Sequence, residues 1–150
     1  MVEAGGYSER PGAESGTAYG AFLAASALDD IGLLTGPDHG IILSLQVLRQ
    51  RDGGFANEDG IDQSAANATA AAVVVLLRMG VDRDTLLSAG ASLLAAQTEA
   101  GGFRATPGAL VPDLLSTATA LHALAQLRSD TGELDGEKAL QMVELSLIHI

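Results

Sequence analysis

An internal repeat of 48 residues constrains this sequence more than any other feature. Three glycine-glycine-aromatic turns recur at this interval: Gly5-Gly6-Tyr7, Gly53-Gly54-Phe55 and Gly101-Gly102-Phe103. Their aromatic residues are three of the five in the chain, so chance is a poor explanation. Self-similarity at a fixed period of this length is typical of proteins built from stacked structural units. The chain is therefore expected to fold as an array of similar units.

Each unit contains two helical segments of different character. The first is apolar over most of its circumference, which predicts a buried inner helix in each unit, at residues 17–34, 62–79 and 113–128. The second has a single apolar face, which predicts a half-exposed outer helix at 37–50 and 85–97. We therefore predict an all-α fold of three helical hairpins, with repeats at 5–52, 53–100 and 101–144.

The glycine pairs lie between the outer helix of one unit and the inner helix of the next. Glycine adopts positive φ without steric penalty and commonly ends helices. The aromatic residue after each pair can then fold back and hold neighbouring hairpins together. We interpret all nine turn residues as structural, since such turns need no ligand.

Composition excludes several classes of function. The chain has no cysteine, which rules out disulfides, thiolate nucleophiles and cysteine-containing zinc sites. With 8 basic and 19 acidic residues, the net charge of −11 opposes nucleic-acid binding. The longest apolar stretch, 68–77, is far shorter than the roughly 20 residues of a membrane span. Residues 1–6 lack a basic and apolar secretory leader, which gives a weak preference for the cytoplasm.

The turn sequences resemble those of the prenyltransferase and squalene-cyclase repeat family. Residues 50–55 and 97–103 carry the Gln-x-x-Gly-Gly-aromatic similarity in part, and 101–117 carries the most specific similarity. That stretch is similar to the pattern Gly-Gly-Phe-x-x-x-Pro-x-x-x-x-Asp-x-Cys-Tyr-Ser of protein prenyltransferase β subunits. The resemblance implies an α/α toroid, with inner helices around an apolar cavity for an isoprenoid. It also implies more hairpins than three, so we expect residues 1–144 to be a fragment of such a domain.

In the transferases of this family, zinc is held by an aspartate, a cysteine two residues later and a histidine. Asp113 matches the aspartate, but Leu115 stands at the cysteine position and no histidine matches the third ligand. Zinc is therefore implied by resemblance alone, and we assign no cofactor. Asp113 can instead cap the helix that begins at Leu114, which is the interpretation we favour.

A prenyl diphosphate would need several cations to match its charge. Arg104 is the basic residue nearest the matched stretch and is our candidate for substrate binding, while Arg49 and Arg51 lie in the preceding turn. The acidic pair Asp29-Asp30 lacks the first residue of the Asp-x-Asp-Asp proton donor of the cyclases. No catalytic residue is assigned, and whether the intact protein is an enzyme stays open.

The sequence leaves two functions open. The intact parent binds or transfers an isoprenoid group as a prenyltransferase-like transferase or terpene cyclase, with this fragment inactive alone. The alternative is a non-catalytic repeat scaffold that binds proteins. Exposed repeat faces are also expected to favour self-association.

The repeat breaks at residues 145–150, Leu-Ser-Leu-Ile-His-Ile, which resemble a translated transposon end and are expected to be a non-native tail.

Overall fold

The computed structural model describes residues 6–128, and within this range the chain is all-α, as predicted. It contains five helices: α1 (Ala18–Asp30), α2 (His39–Gln46), α3 (Ala66–Arg78), α4 (Arg83–Ala95) and α5 (Leu114–Arg128). Residues 1–5 and 129–150 are not described. Gly5, the outer helix of the third unit and the predicted tail at 145–150 therefore lie outside the described residues.

Helix α3 is the centre of the described structure. It packs against α1 on one side and α5 on the other, while α4 packs against both α3 and α5. Every residue from 68 to 76 is buried, which is the burial expected of a helix with neighbours all round. In α4 the buried residues are Leu86, Ala89, Gly90 and Leu93, which is a single helical face. The predicted contrast between inner and outer helices is therefore confirmed for α3 and α4.

The expectation of complete burial is wrong for α1 and α5. Tyr19 and Leu23 of α1, and Leu114 and Leu115 of α5, are exposed. Each of these helices packs against only one inner helix within the described range, whereas α3 packs against two. Apolar residues on their remaining faces consequently stay in contact with solvent.

Helix α1 ends at Asp30 rather than at residue 34 as predicted. Helices α2 and α3 are also shorter than predicted, because the turns use their ends. Helix α2 ends at Gln46 rather than Gln50, since the Gln50 amide N–H donates to the carbonyl of Gly54. Helix α3 begins at Ala66 rather than Asp62, because the Ala65 N–H donates to the carbonyl of Phe55. Backbone groups bound within the turn are not available for a helical ladder.

The turns have the same internal hydrogen bonds in the second and third units. Gln50 N–H to Gly54 O and Thr98 N–H to Gly102 O are both 2.8 Å. Phe55 and Phe103 are fully buried, and each donates its N–H to a threonine hydroxyl at 2.9 Å, from Thr69 and Thr117 respectively. The turn of each unit is thus attached to the inner helix of the same unit.

The first glycine of each complete turn requires its special conformation. Gly53 and Gly101 have φ of 85° and 94°, in the left-handed region that favours glycine, which confirms the predicted positive φ. In the turn of the first unit, where Gly5 is not described, the second glycine of the pair, Gly6, has a φ of 83°. A Cβ on Gly53 would also lie 2.6 Å from the Cβ of Ser88 in α4.

Neighbouring units are joined by a backbone hydrogen bond at the start of the inner helix. The Ala18 N–H donates to the carbonyl of Asn57 at 2.9 Å, and the Ala66 N–H donates to the carbonyl of Ala105 at 2.8 Å. Both donors and both acceptors are separated by 48 residues. The turn of one unit therefore supplies an acceptor to the inner helix of the preceding unit.

Helix α1 has a side-chain cap as well. The Thr17 hydroxyl accepts from the N–H of Gly20 at 2.8 Å and donates to the carboxylate of Glu9. This hydrogen bond lowers the pKa of Glu9 below its ordinary value. Because the pKa of Glu9 is lower in the folded chain than in the unfolded one, this hydrogen bond stabilises the fold above the pH range in which carboxyl groups ordinarily titrate. The stabilisation is lost as the pH falls through the folded pKa. Glu9 is exposed, so the contribution is modest.

We predict that Gly53→Ala destabilises the fold more than Gly60→Ala. Gly60 has a similar φ of 79°, but nothing lies within 4 Å of its added Cβ, so this variant isolates the backbone strain. We expect a loss of about 1 kcal/mol for Gly60→Ala and about 2–4 kcal/mol for Gly53→Ala, which adds a steric clash. Urea unfolding followed by far-ultraviolet circular dichroism measures both. Equal losses would show that the contact with Ser88 is unimportant.

Candidate functional site

The inner helices form an apolar groove with a volume of about 210 Å³. All three helices contribute to its lining: Tyr19 and Phe22 from α1; Asn67, Ala70, Ala71 and Val74 from α3; Leu115, Ala118, Thr119 and His122 from α5. The lining surface is almost wholly apolar, and no charged side chain is among these described residues. The groove is therefore suited to a hydrocarbon rather than to a charged group.

The repeat itself produces this groove. Tyr19, Asn67 and Leu115 occupy the same position in successive units, 48 residues apart. Phe22, Ala70 and Ala118 share a second such position. Helices that pack in the same way present equivalent positions on the same side, so one surface collects them.

Residue size explains why this surface is concave. The central helix contributes the small side chains of Ala70 and Ala71, while α1 contributes two aromatic rings. The rings of Tyr19 and Phe22 stack with their centroids 6.5 Å apart. Small residues in the middle and large ones at the side leave room above α3.

Three polar side chains of the groove, those of Asn67, Thr119 and His122, have partners on their own helices. The Asn67 side chain accepts from the N–H of Ala68 at 2.9 Å, and the Thr119 hydroxyl donates to the carbonyl of Leu115 at 2.8 Å. A ring nitrogen of His122 lies 3.2 Å from the side-chain amide nitrogen of Gln126. These bonds reduce the polar character that the groove presents to a ligand.

Asp113 is the N-terminal cap of α5, as predicted. Its carboxylate accepts from the N–H of Ser116 at 2.8 Å, and it does not line the groove. Leu115, at the cysteine position of the family pattern, lines the groove. Among residues 6–128 no three histidine or acidic side chains are placed to hold a metal ion. Since a leucine offers no donor atom, the residues at this position do not fit a zinc site.

Arg104 lies away from the groove. It lines a separate cavity of about 320 Å³ between the second and third units, together with Asp52 and Ser64. Its Nε is buried and has no hydrogen-bond partner within the described residues. The Ser64 hydroxyl donates to the carboxylate of Asp52 in this cavity. An acidic and a basic side chain thus occur together there, which opposes a purely anionic ligand.

Arg49 has a structural role. Its guanidinium donates to the carbonyl of Thr85 and to the hydroxyl of Ser88, both at 2.8 Å. It also lies over the ring of Phe55, 5.8 Å from the ring centroid. These contacts tie the turn of the second unit to the start of α4. None of the arginines selected from the sequence, Arg49, Arg51 and Arg104, lines the groove.

Sequence reasoning missed the groove residues, although a signal for them was present. Aligning the inner helices by the 48-residue period would have selected positions 19, 67 and 115 as one set. Periodicity within a single helix does not show which of its apolar faces meets the equivalent face of the next unit. The sequence therefore predicted buried helices rather than a shared concave surface.

Comparison with protein-family models gives no match, and comparison with curated proteins gives no significant match. Within residues 6–128 every helix is too short or too polar to cross a membrane. The fold and the groove define an all-α repeat protein with an apolar site on its inner helices.

We predict that Asp113→Asn keeps the stability of the native chain, whereas Asp113→Ala lowers the free energy of unfolding by about 1 kcal/mol. Asparagine caps helices as well as aspartate does, and alanine cannot. Urea unfolding measures this difference. A metal ligand would behave otherwise, since Asp113→Asn would also lose binding. Stoichiometric zinc in the native chain that disappears in Asp113→Asn would contradict the capping interpretation.

Proposed function

We propose that this chain supplies part of an isoprenoid-binding cavity in a larger α/α-toroid repeat protein of the prenyltransferase or terpene-cyclase type. The observation that carries the proposal is the apolar groove built from equivalent positions of α1, α3 and α5. An isoprenoid tail is a branched hydrocarbon with no hydrogen-bonding groups, and its transfer from water is worth about 0.8 kcal/mol per buried CH₂. A lining of this composition stabilises such a tail.

The size of the groove supports a partial site. Ligand pockets that enclose a drug-sized molecule have volumes of roughly 300–1,000 Å³. At about 210 Å³ the groove of the described residues is smaller than that range. We therefore interpret the groove as one wall of a larger cavity, in which further hairpins enclose the rest of the ligand.

The proposal concerns binding and assigns no catalytic residue. Leu115 stands where a thiolate would be needed to hold zinc, and Asp113 is engaged in capping α5. The ligand's apolar tail is what this part of the chain recognises.

We predict that Leu115→Glu weakens binding of a fluorescent isoprenoid alcohol about tenfold or more, because a carboxylate placed against a hydrocarbon loses its hydration. Leu87→Glu is the matched control, since Leu87 is 60 % exposed, Leu115 is 59 % exposed, and Leu87 lies outside the groove. Fluorescence titration with the purified chain measures both affinities. Circular dichroism checks that each variant remains folded.

Three results would contradict the proposal. The probe could fail to saturate the native chain, Leu115→Glu could bind as tightly as the native chain, or Leu87→Glu could weaken binding equally. A second ligand sharpens the test. Because no charged side chain lines the groove, the isoprenoid diphosphate should bind no more tightly than the alcohol.

A scaffold function is the second candidate. Apolar side chains are exposed on the outer helices, at Leu43 and Val47 of α2 and at Leu87 and Leu94 of α4. Exposed apolar surface on repeat helices is suited to protein partners. Under this function, Leu87→Glu would disrupt partner binding while Leu115→Glu would not.

A further inference from the structure

The cavity between the second and third units contains two opposite charges that do not contact each other. Asp52 and Arg104 both line it, yet neither forms an ion pair within residues 6–128. The cavity lies away from both ends of the described range, since α3, α4 and the third turn contribute to it. Its volume of about 320 Å³ falls within the range of ligand pockets, roughly 300–1,000 Å³. A small molecule in this cavity is therefore able to reach both charges.

The guanidinium of Arg104 has an unused donor. Its Nε is buried and has no hydrogen-bond partner among the described residues. A buried N–H without an acceptor is costly, and nearly all such groups have a partner in the native state. The Nε edge of a guanidinium presents two parallel N–H groups, which match the two oxygens of a carboxylate. This side chain therefore favours a ligand that carries a carboxylate.

The carboxylate of Asp52 is held in position by neutral groups. It accepts from the N–H of Gly54 at 3.0 Å and from the hydroxyls of Ser64 and Ser92. None of these three donors carries a charge, so the negative charge of Asp52 is not neutralised by them. Asp52 is exposed, whereas the Nε of Arg104 is buried, so the acidic group lies nearer to solvent. A cationic group on the ligand is stabilised beside this carboxylate.

The repeat indicates that the turns themselves need neither charge. Alanine stands at both equivalent positions: Ala100 corresponds to Asp52, and Ala56 corresponds to Arg104. The turns of the second and third units nevertheless have the same internal backbone hydrogen bonds. The two charges are therefore an addition to this junction and are not part of the repeated framework.

The remaining walls of the cavity are largely apolar. Alanines of α3 and α4 contribute to them, together with Leu93 and Pro107. Hydrocarbon on a ligand is stabilised against such walls, whereas an additional charge would lose its hydration there. The cavity therefore suits a molecule that combines one acid, one amine and a short hydrocarbon group.

We propose that the cavity between the second and third units binds a zwitterion of the α-amino-acid type with an apolar side chain. The ligand's carboxylate accepts from the Nε of Arg104, and its ammonium group lies beside the carboxylate of Asp52. Because such a ligand has no net charge, the chain's net charge of −11 does not repel it as it would a simple anion. The cavity shares no lining residue with the apolar groove, so this proposal is independent of the isoprenoid function.

L-Leucine is the probe, and two analogues test its charges separately. We expect the purified chain to bind L-leucine at neutral pH with a dissociation constant on the order of 1 mM. Isocaproate, which lacks the amine, and isoamylamine, which lacks the acid, should each bind about tenfold more weakly or worse. Chemical-shift changes of the nitrogen-15-labelled chain, titrated at constant pH and ionic strength, measure the three affinities.

Two variants remove one charge each. Arg104→Ala gives the third turn the residue that the second turn has at the equivalent position, so the fold should persist. Asp52→Asn keeps an oxygen that accepts hydrogen bonds and removes the negative charge. We expect each variant to weaken L-leucine binding about tenfold or more. Arg78→Ala is the matched control and should bind as the native chain does, because Arg78 ends α3 and lies outside the cavity.

Any of three results overturns the proposal. L-Leucine could cause no saturable shift changes up to about 50 mM. Arg104→Ala or Asp52→Asn could bind L-leucine as tightly as the native chain while circular dichroism shows each variant folded. Alternatively, isocaproate or isoamylamine could bind as tightly as L-leucine, which would indicate a site for a single charge instead of a zwitterion.

Discussion

The backbone bond between a turn carbonyl and the first amide of the preceding inner helix is the interaction on which this architecture depends. The first amides of any helix have no partner inside the helix, and burying them unpaired is costly. Helix α3 shows the dependence most clearly, because Ala65 at its start provides no side-chain cap. The carbonyl of Ala105 supplies an acceptor instead. The first amide of the most enclosed helix is thus hydrogen-bonded by the unit that follows it.

This bond also determines how the inner helices present themselves. Because each turn is attached to its own inner helix through Thr69 or Thr117, and to the preceding helix through its carbonyl, successive helices meet in one register. Equivalent residues then lie on one side, and their sizes decide the shape of that side. Small residues on α3 between larger ones on α1 and α5 produce the groove.

The sequence predicted the repeat, the helical class and the positive φ at Gly53 and Gly101, because these depend on local conformation and on the period alone. It did not predict where α2 ends and where α3 begins, since hydrogen bonds within the turns decide those boundaries. Nor did it separate Arg104 from the groove. A residue close to a matched motif in sequence can point into another cavity, and only packing between units decides which one.

Leu115 connects the family resemblance to the groove. At this position the family pattern that the sequence resembles has a cysteine, whose thiolate needs a cation beside it to be stable in an apolar surrounding. Leucine removes that need and adds hydrocarbon to the groove wall. Asp113, two residues earlier, then serves the helix by capping it. The two positions at which the family pattern has an aspartate and a cysteine therefore supply a helix cap and an apolar wall here.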